Sequence, residues 1–409
     1  MAKKAFLNIR GLMQVREMPI QPLKGHDLSV LPSIANAFLL LQDNEVVNFG
    51  SMQQLDEREL NGYDLHDASE RFIFPAFCDA HTHAVFAQYR EAEFVDKLNG
   101  LSYQEIAAKG GGILSSARKV QETSEEGLFL QSMETVKHII AGGTGSLEIK
   151  SGYGLTLENE LKMLRVIRRI KKQVDIPIKA TFLAAHAVPA QFQGQKELFM
   201  EALLNEWIPK VLEEKLADYI DVFCETGYFD VNDIAQIGKA IRGSALQLKA
   251  HVNQFSAFGG VQEAVRQEAV TVDHLEVMNE EDFEALASSK TLATLLPACS
   301  FYLGIPFAPA RKLCQRGVPF AIASDFNPGS SPTHNLFLVW SLACLNMKLT
   351  PEEAFNAMTV NGAFAMGINA SHGAIFRGYK GKFILTNKAP SFAYFPYAFG
   401  TNHVYQILN

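Results

Sequence analysis

Between residues 72 and 326 the chain alternates eight short apolar runs with stretches of helical periodicity, and this alternation restricts its fold more than any other feature. The runs are Phe72–Cys78, Gly145–Ile149, Ile178–Ala184, Tyr219–Cys224, Leu246–Ala250, Val270–Asp273, Leu292–Leu296 and Pro319–Ala323. Short runs of this kind suit strands covered on both faces, as in a parallel sheet wrapped by helices. Helix punctuation falls between them. Thr123 with Glu126 reads as a capping box, Gly142-Gly143 closes the helix that follows, and Thr350-Pro351-Glu352-Glu353 repeats the signal with proline at the first helical position. Eight such units over about 250 residues match a TIM (β/α)8 barrel, and an open doubly wound sheet would give the same alternation.

The two ends read differently. Residues 1–74 show short β segments at Ala5–Ile9, Ala37–Leu41 and Val46–Phe49, and residues 370–409 return to β-like Lys382–Leu385 and Val404–Leu408. The C-terminal piece is too short to fold alone, so it is expected to pair with the N-terminal one. The expected architecture is therefore α/β, with a barrel over 75–369 and a small β domain from 1–74 and 370–409.

Charge and cysteine usage narrow the function classes. A net charge of −7, with no basic run longer than the Arg168, Arg169, Lys171, Lys172 cluster, argues against nucleic acid and anionic membrane as partners. No apolar stretch is long enough for a membrane span or a signal segment. The five cysteines, Cys78, Cys224, Cys299, Cys314 and Cys344, form no CxxC pair, which points to reduced thiols and a cytoplasmic location.

The sharpest chemical signal is Asp79-Ala80-His81-Thr82-His83 at the end of the first run. On an extended chain, i and i+2 share a face, so His81 and His83 arrive side by side, and two neutral imidazoles suit a divalent transition metal. Other runs also end in ligand-type residues: His186 after the third, His251 after the fifth, His274 after the sixth and Asp325 after the eighth. In a barrel all strand C-termini open on one face, where these side chains would converge. His26, His66, His138, His334, His372 and His403 lie away from the run ends and read as surface or hydrogen-bonded residues.

This pattern resembles the amidohydrolase superfamily, metal-dependent hydrolases whose barrel is flanked by a β-sandwich made from both chain ends. The segments Gly110–Ile113 (GGGI), Glu148–Leu155 (EIKSGYGL), Thr181–Pro189 (TFLAAHAVP) and Ser324–Pro332 (SDFNPGSSP) resemble its imidazolonepropionase family, over essentially the whole chain. Ala76, Cys78 and the Gly381-Lys382-Phe383 turn depart from the usual pattern, away from the presumed site. The resemblance implies one divalent metal ion, zinc or iron, on His81, His83, His251 and Asp325. Two-metal relatives carry a carboxylated lysine at the end of strand four, where this chain has Phe223-Cys224-Glu225; Lys150 follows strand two, out of place for a bridge.

The implied reaction is hydrolysis of the cyclic amide C–N bond of 4-imidazolone-5-propanoate to N-formimidoyl-L-glutamate, in histidine degradation. His274 would hydrogen-bond the carbonyl, and Asp325 would carry the proton to the leaving nitrogen. Gln254 would hold the ring by hydrogen bonds, since an amide cannot titrate. Arg90 would clamp the propionate, with Tyr153 and His186 beside the ring and with Asn327, Gly329 and Ser330 supplying donors. Gly110-Gly111-Gly112 lacks the lysine of a phosphate loop and reads as a mobile loop over the pocket, to which Tyr103 could add a contact. The alternative enzyme is a single-metal deaminase of a cytosine-like or guanine-like ring, weakened by Gln254 where such enzymes carry glutamate. A metal-free binding protein is weakened by the complete ligand set. A homodimer stays open.

Overall fold

The computed structural model of the chain describes residues 3–18, 20–101, 105 and 110–408. Strands β1 (Lys3–Met13), β2 (Ser33–Gln42), β3 (Glu45–Ser51), β4 (Asp64–Asp67) and β5 (Phe72–Pro75) come from the N-terminal region. They join β14 (Phe383–Thr386) and β15 (Val404–Leu408) in one seven-stranded sheet ordered β15-β14-β5-β1-β2-β3, with β4 pairing β1. The short C-terminal hairpin is thus completed by β5, with Ile384 opposite Phe74. Side chains of β5 alternate between two cores. Phe72 and Phe74 pack with the barrel helices, while Ile73 packs with Phe6, Ile9, Leu39 and Phe383. The polar strand β4, Asp64-Leu65-His66-Asp67, carries no apolar run and was not legible as a strand.

The remaining eight strands are β6 (Phe77–Asp79), β7 (Thr144–Lys150), β8 (Ile178–Ala185), β9 (Tyr219–Cys224), β10 (Gln247–Val252), β11 (Thr271–His274), β12 (Leu292–Leu295) and β13 (Phe320–Ile322). They pair in sequence order, every pair parallel. The loops after β6 and β13 then meet. Thr82 and Phe326 form a parallel bridge, Asp325 N donates to His81 O at 3.0 Å, and His83 N donates to Phe326 O at 2.8 Å. This seam decides for the barrel over the open sheet, and it sets the HxH segment beside Asp325.

Three expectations are corrected. The run Phe72–Cys78 is two strands, because the chain crosses from one sheet to the other at Ala76: Ala76 N bonds Lys382 O, and Phe77 N bonds Gly143 O. A continuous apolar run hides that change of partner, since both strands are buried. The helix after residue 122 is capped by Ser124, whose side chain accepts from Gly127 N, while Thr123 donates back to Lys119 O. The glycine run is part loop and part helix: Gly111 caps and Gly112 opens the helix Gly112–Glu122, which sets Ile113 into the wall of the central cavity. Tyr103 lies outside the described residues. The Thr350 capping box with Pro351 at the first turn forms as expected.

All five cysteines are free and at least half-buried, and burial pushes the Cys78 thiol up to about 12 and the Cys314 thiol up to about 11. Adding a thiol reductant is therefore expected to leave the melting temperature unchanged; a fall of several degrees would reveal a disulfide and overturn this assignment. Among the described residues no helix is long and apolar enough to cross a membrane.

Candidate metal centre and substrate cavity

The strand C-termini open on one face, and the loops leaving them bring the ligand-type residues together. His81, His83 and His251 each place a ring nitrogen within 4.8 Å of the others. Asp325 Oδ1 lies 3.4 Å from His81 Nε2 and 3.6 Å from His83 Nε2, and all four residues are buried. His81 Nδ1 sits 2.7 Å from Asp273 Oδ2, and His251 Nδ1 sits 3.0 Å from Asp221 Oδ1. A carboxylate accepting from Nδ1–H leaves the Nε2 lone pair free, and the Nε2 atoms of both rings are buried without a hydrogen-bond partner. Burial and the Lys150 charge lower the His81 pKa; burial and the neighbouring imidazoles hold that of His83 well below its ordinary value. Neutral nitrogens orphaned beside a carboxylate are a donor set that fits a divalent cation.

Around this centre, His274 ends β11 at φ +86° and Asp325 follows β13 at φ +51°. Non-glycine residues held in the left-handed region cost about 1–3 kcal/mol and persist where the surroundings impose them, often at functional sites. His274 Nδ1 faces Glu276 Oε1 at 3.4 Å, and Glu276 also accepts from Ser300 Oγ. Burial would lower the His274 pKa, but Glu276, with Asp325 and Asp273, outweighs it and the net shift is upward, so this ring carries a proton more readily than a free imidazole. Asp325 shows the reverse: burial would raise it, but hydrogen bonding and charge from His81 bring it below the usual carboxylate range.

A cavity of about 300 Å³ opens over the cluster, lined by His83, His251 and Asp325 together with Arg90, Tyr153, His186, Gln254, His274, Asn327, Gly329 and Ser330. His186 Nδ1 contacts Gly152 O at 3.0 Å, and burial together with the His251 charge takes its pKa down to about 3, so it stays neutral. Its ring stacks on His83 at 5.5 Å. Gln254 Nε2 donates to Cys299 Sγ at 3.5 Å. The Arg90 side chain is only 10% exposed, and among the described residues its Nε and Nη1 have no hydrogen-bond partner; Glu93 forms an ion pair with it at 3.7 Å from Nε. Arg90 lies so close over Gly329 that a Cβ there would fall 1.2 Å from its Nη2.

One expectation about the wall is corrected. The amide donors of Asn327, Gly329 and Ser330 are spent within the turn, while the Ser330 hydroxyl accepts there and keeps its own O–H at the cavity wall. Asn327 Oδ1 accepts from Gly329 N and Ser330 N, and its Nδ2 donates to Asp325 O and Ser330 Oγ. The turn therefore fixes Asp325 and seats Arg90. Its amides are not presented to the cavity as donors.

Sequence reading weighed Lys150 only as a metal bridge and passed over the other charges beneath the cluster. Asp221, Asp273, Glu148, Lys150 and Lys249 are all fully buried, and each lies within a barrel strand. A charged residue interrupting an apolar run, as in Tyr-Ile-Asp-Val-Phe-Cys, was the available signal. Lys150 lies directly behind the imidazoles, its Nζ 2.7 Å from Asp221 Oδ2 and 3.5 Å from Asp273 Oδ2.

A family model described as the amidohydrolase family matches residues 72–405. The chain belongs to the amidohydrolase family. Similar relatives include the imidazolonepropionase of Christiangramia forsetii, 48% identical over 97% of this chain and 96% of the relative, and that of Flavobacterium johnsoniae, 48% identical over 98% and 97%. The imidazolonepropionase of Clostridium tetani is 38% identical over 94% and 92%. Among solved amidohydrolase-like folds, Escherichia coli guanine deaminase superposes with a TM-score of 0.73 at 14% identity, covering 100% of this chain and 97% of that one. A triazine hydrolase variant superposes at 0.75 and 12% identity, covering 99% and 93%. At these identities the two structures speak to the fold alone.

Proposed function

We propose that this amidohydrolase cleaves the ring amide C–N bond of 4-imidazolone-5-propanoate with water, giving N-formimidoyl-L-glutamate, the reaction of an imidazolonepropionase. The observation that carries the reading is Arg90. A nearly buried guanidinium whose Nε and Nη1 lack a hydrogen-bond partner among the described residues, with Glu93 no nearer than 3.7 Å, shares a cavity with the imidazole cluster and calls for a carboxylate on the same small molecule that reacts there. The names of the close relatives support the same substrate.

His81, His83, His251 and Asp325 would hold one zinc or iron ion. Such an ion polarises a carbonyl and lowers the pKa of water. His274, readily protonated beside Glu276, donates a hydrogen bond to the ring carbonyl oxygen as negative charge develops there. Asp325, ionised at neutral pH, takes a proton from the attacking water and delivers it to the departing ring nitrogen. Gln254 orients the ring without exchanging protons, which weighs against deamination of a nucleobase. Tyr153 and the neutral His186 flank the ring. Free cysteines throughout fit a cytoplasmic setting.

The test is to follow loss of the ultraviolet absorbance of imidazolonepropionate. Arg90→Ala should lower kcat/KM by roughly ten- to a hundredfold with normal metal content, since a charge-assisted hydrogen bond is worth about 1.5–3 kcal/mol. Arg90→Lys should fall in between, and Gly329→Ala should mimic Arg90→Ala by displacing the guanidinium. An analogue with an uncharged side chain should be a poor substrate that loses little more in Arg90→Ala. Equal losses on charged and uncharged substrates would overturn the carboxylate clamp.

A further inference from the structure

Two of the imidazoles are each held by one carboxylate, and both carboxylates meet the same ammonium. Lys150 Nζ lies 2.7 Å from Asp221 Oδ2, 3.5 Å from Asp273 Oδ2 and 2.7 Å from Glu148 Oε1. The other side of Asp221 carries His251, and Asp273 Oδ2 also carries His81. Lys150, Glu148, Asp221 and Asp273 have no solvent-exposed side-chain surface. Asp221, His251 and Asp273 offer ligand atoms within 4.8 Å of one another, a grouping that would itself attract a cation, and the ammonium stands against both carboxylates.

Carboxylates with no access to water need a compensating charge or they take up a proton. Burial alone would lower the Lys150 pKa, but Asp221, Glu148 and Asp273 outweigh it, so the ammonium stays charged. Without that cation, nothing at this position would hold Asp221 and Asp273 in the orientations that accept from the Nδ1–H groups of His251 and His81.

We propose that Lys150 is a positioning residue for the metal centre: one ammonium shared by Asp221 and Asp273 locks the orientation of His251 and His81 together. The inference rests on the reading that His81 and His251 hold the ion. It assigns Lys150 a role that its neighbour Lys249 does not share. Lys249 is equally buried and its charge also reaches Asp273, but it pairs with the other oxygen of Glu148, and among the described residues it makes no ion pair with either aspartate.

That contrast supplies the control. The full-length zinc-loaded protein and its Lys150→Met and Lys249→Met variants are titrated with a chelator of known affinity, alongside their melting temperatures. Both variants lose a buried cation and should melt lower. Lys150→Met should weaken zinc binding about 10- to 100-fold, the usual effect of losing a group that orients a ligand, and Lys249→Met by about threefold at most. If Lys150→Met does not accumulate as folded protein, the pair Lys150→Met with Glu148→Gln, which restores the net charge, carries the same test. Unchanged affinity in Lys150→Met, or equal losses in the two lysine variants, overturns the role of Lys150. A wild-type protein that binds no metal overturns the ligand set itself, a different outcome from either.

Discussion

Replacing His83 by alanine should yield a folded protein that has lost both its metal and its hydrolytic activity. The side chain sits just past β6 in the cavity wall, its Nδ1 makes no hydrogen bond among the described residues, and its ring contacts are with the rings of the site itself, Tyr153, His186, His81 and His251. Truncation therefore removes a donor without opening the core, and the melting temperature of the metal-free protein should change little. Its ring is one of three whose nitrogens converge within 4.8 Å, so the loss should exceed the roughly 100-fold drop expected when only a supporting partner of a ligand is removed. The exposed His138 is the control, and alanine there should change neither metal content nor rate. Full activity with stoichiometric metal in His83→Ala would remove this histidine from the ligand set.

Asp325→Asn should lower kcat by about 10²- to 10⁴-fold, the range associated with a positioned proton-transfer group, with a smaller effect on KM. Asparagine is among the few residues that tolerate the left-handed backbone found here at φ +51°, so the substitution removes the proton-accepting carboxylate, and with it one anionic metal ligand, without adding backbone strain; the rate is therefore read on protein whose metal content has been measured and restored to wild type. The pH profile gives a second reading. Asp325 has its pKa depressed, burial being outweighed by His81, so the proton-accepting carboxylate persists as pH falls and is lost only below the usual carboxylate range. Activity limited by this group should hold across mildly acidic pH in the wild type. A variant within about tenfold of wild-type kcat would move the proton transfer to another group, His274 being the first candidate.

Much of the site could be read from the chain because its parts are placed by strand ends. An apolar run followed by His186, His251 or His274 announces both a strand and what stands at its C-terminus, and HxH carries its own two-residue geometry. The supporting residues were harder to see. Glu276 and Glu160 look like ordinary surface charges in sequence, yet Glu276 faces His274, and Glu160 accepts from the backbone N–H groups of Gly152, Gly154 and Leu155, fixing the loop that carries Tyr153. Burial is a property of the neighbours. No local pattern distinguishes a carboxylate that helix packing will cover from one that water will solvate.

By itself the sequence determined the local states: eight buried barrel strands, the Thr350 cap and the Gly142 stop, the absence of a disulfide framework and the donor types at several strand ends. Those follow from side-chain chemistry, turn residues and periodicity, which act within a few residues. Only the tertiary structure decided which edges pair. It closed the barrel through Thr82 and Phe326, split the run at Ala76 between two sheets, and set Arg90 over Gly329. It also brought Asp221, Asp273 and Lys150, from three different strands, behind one pair of histidines. The physical reason is one of range. Propensity and spacing act along the chain, whereas pairing, close approach and buried charge balance act between segments up to hundreds of residues apart, and they acquire an energy only once the barrel has excluded water.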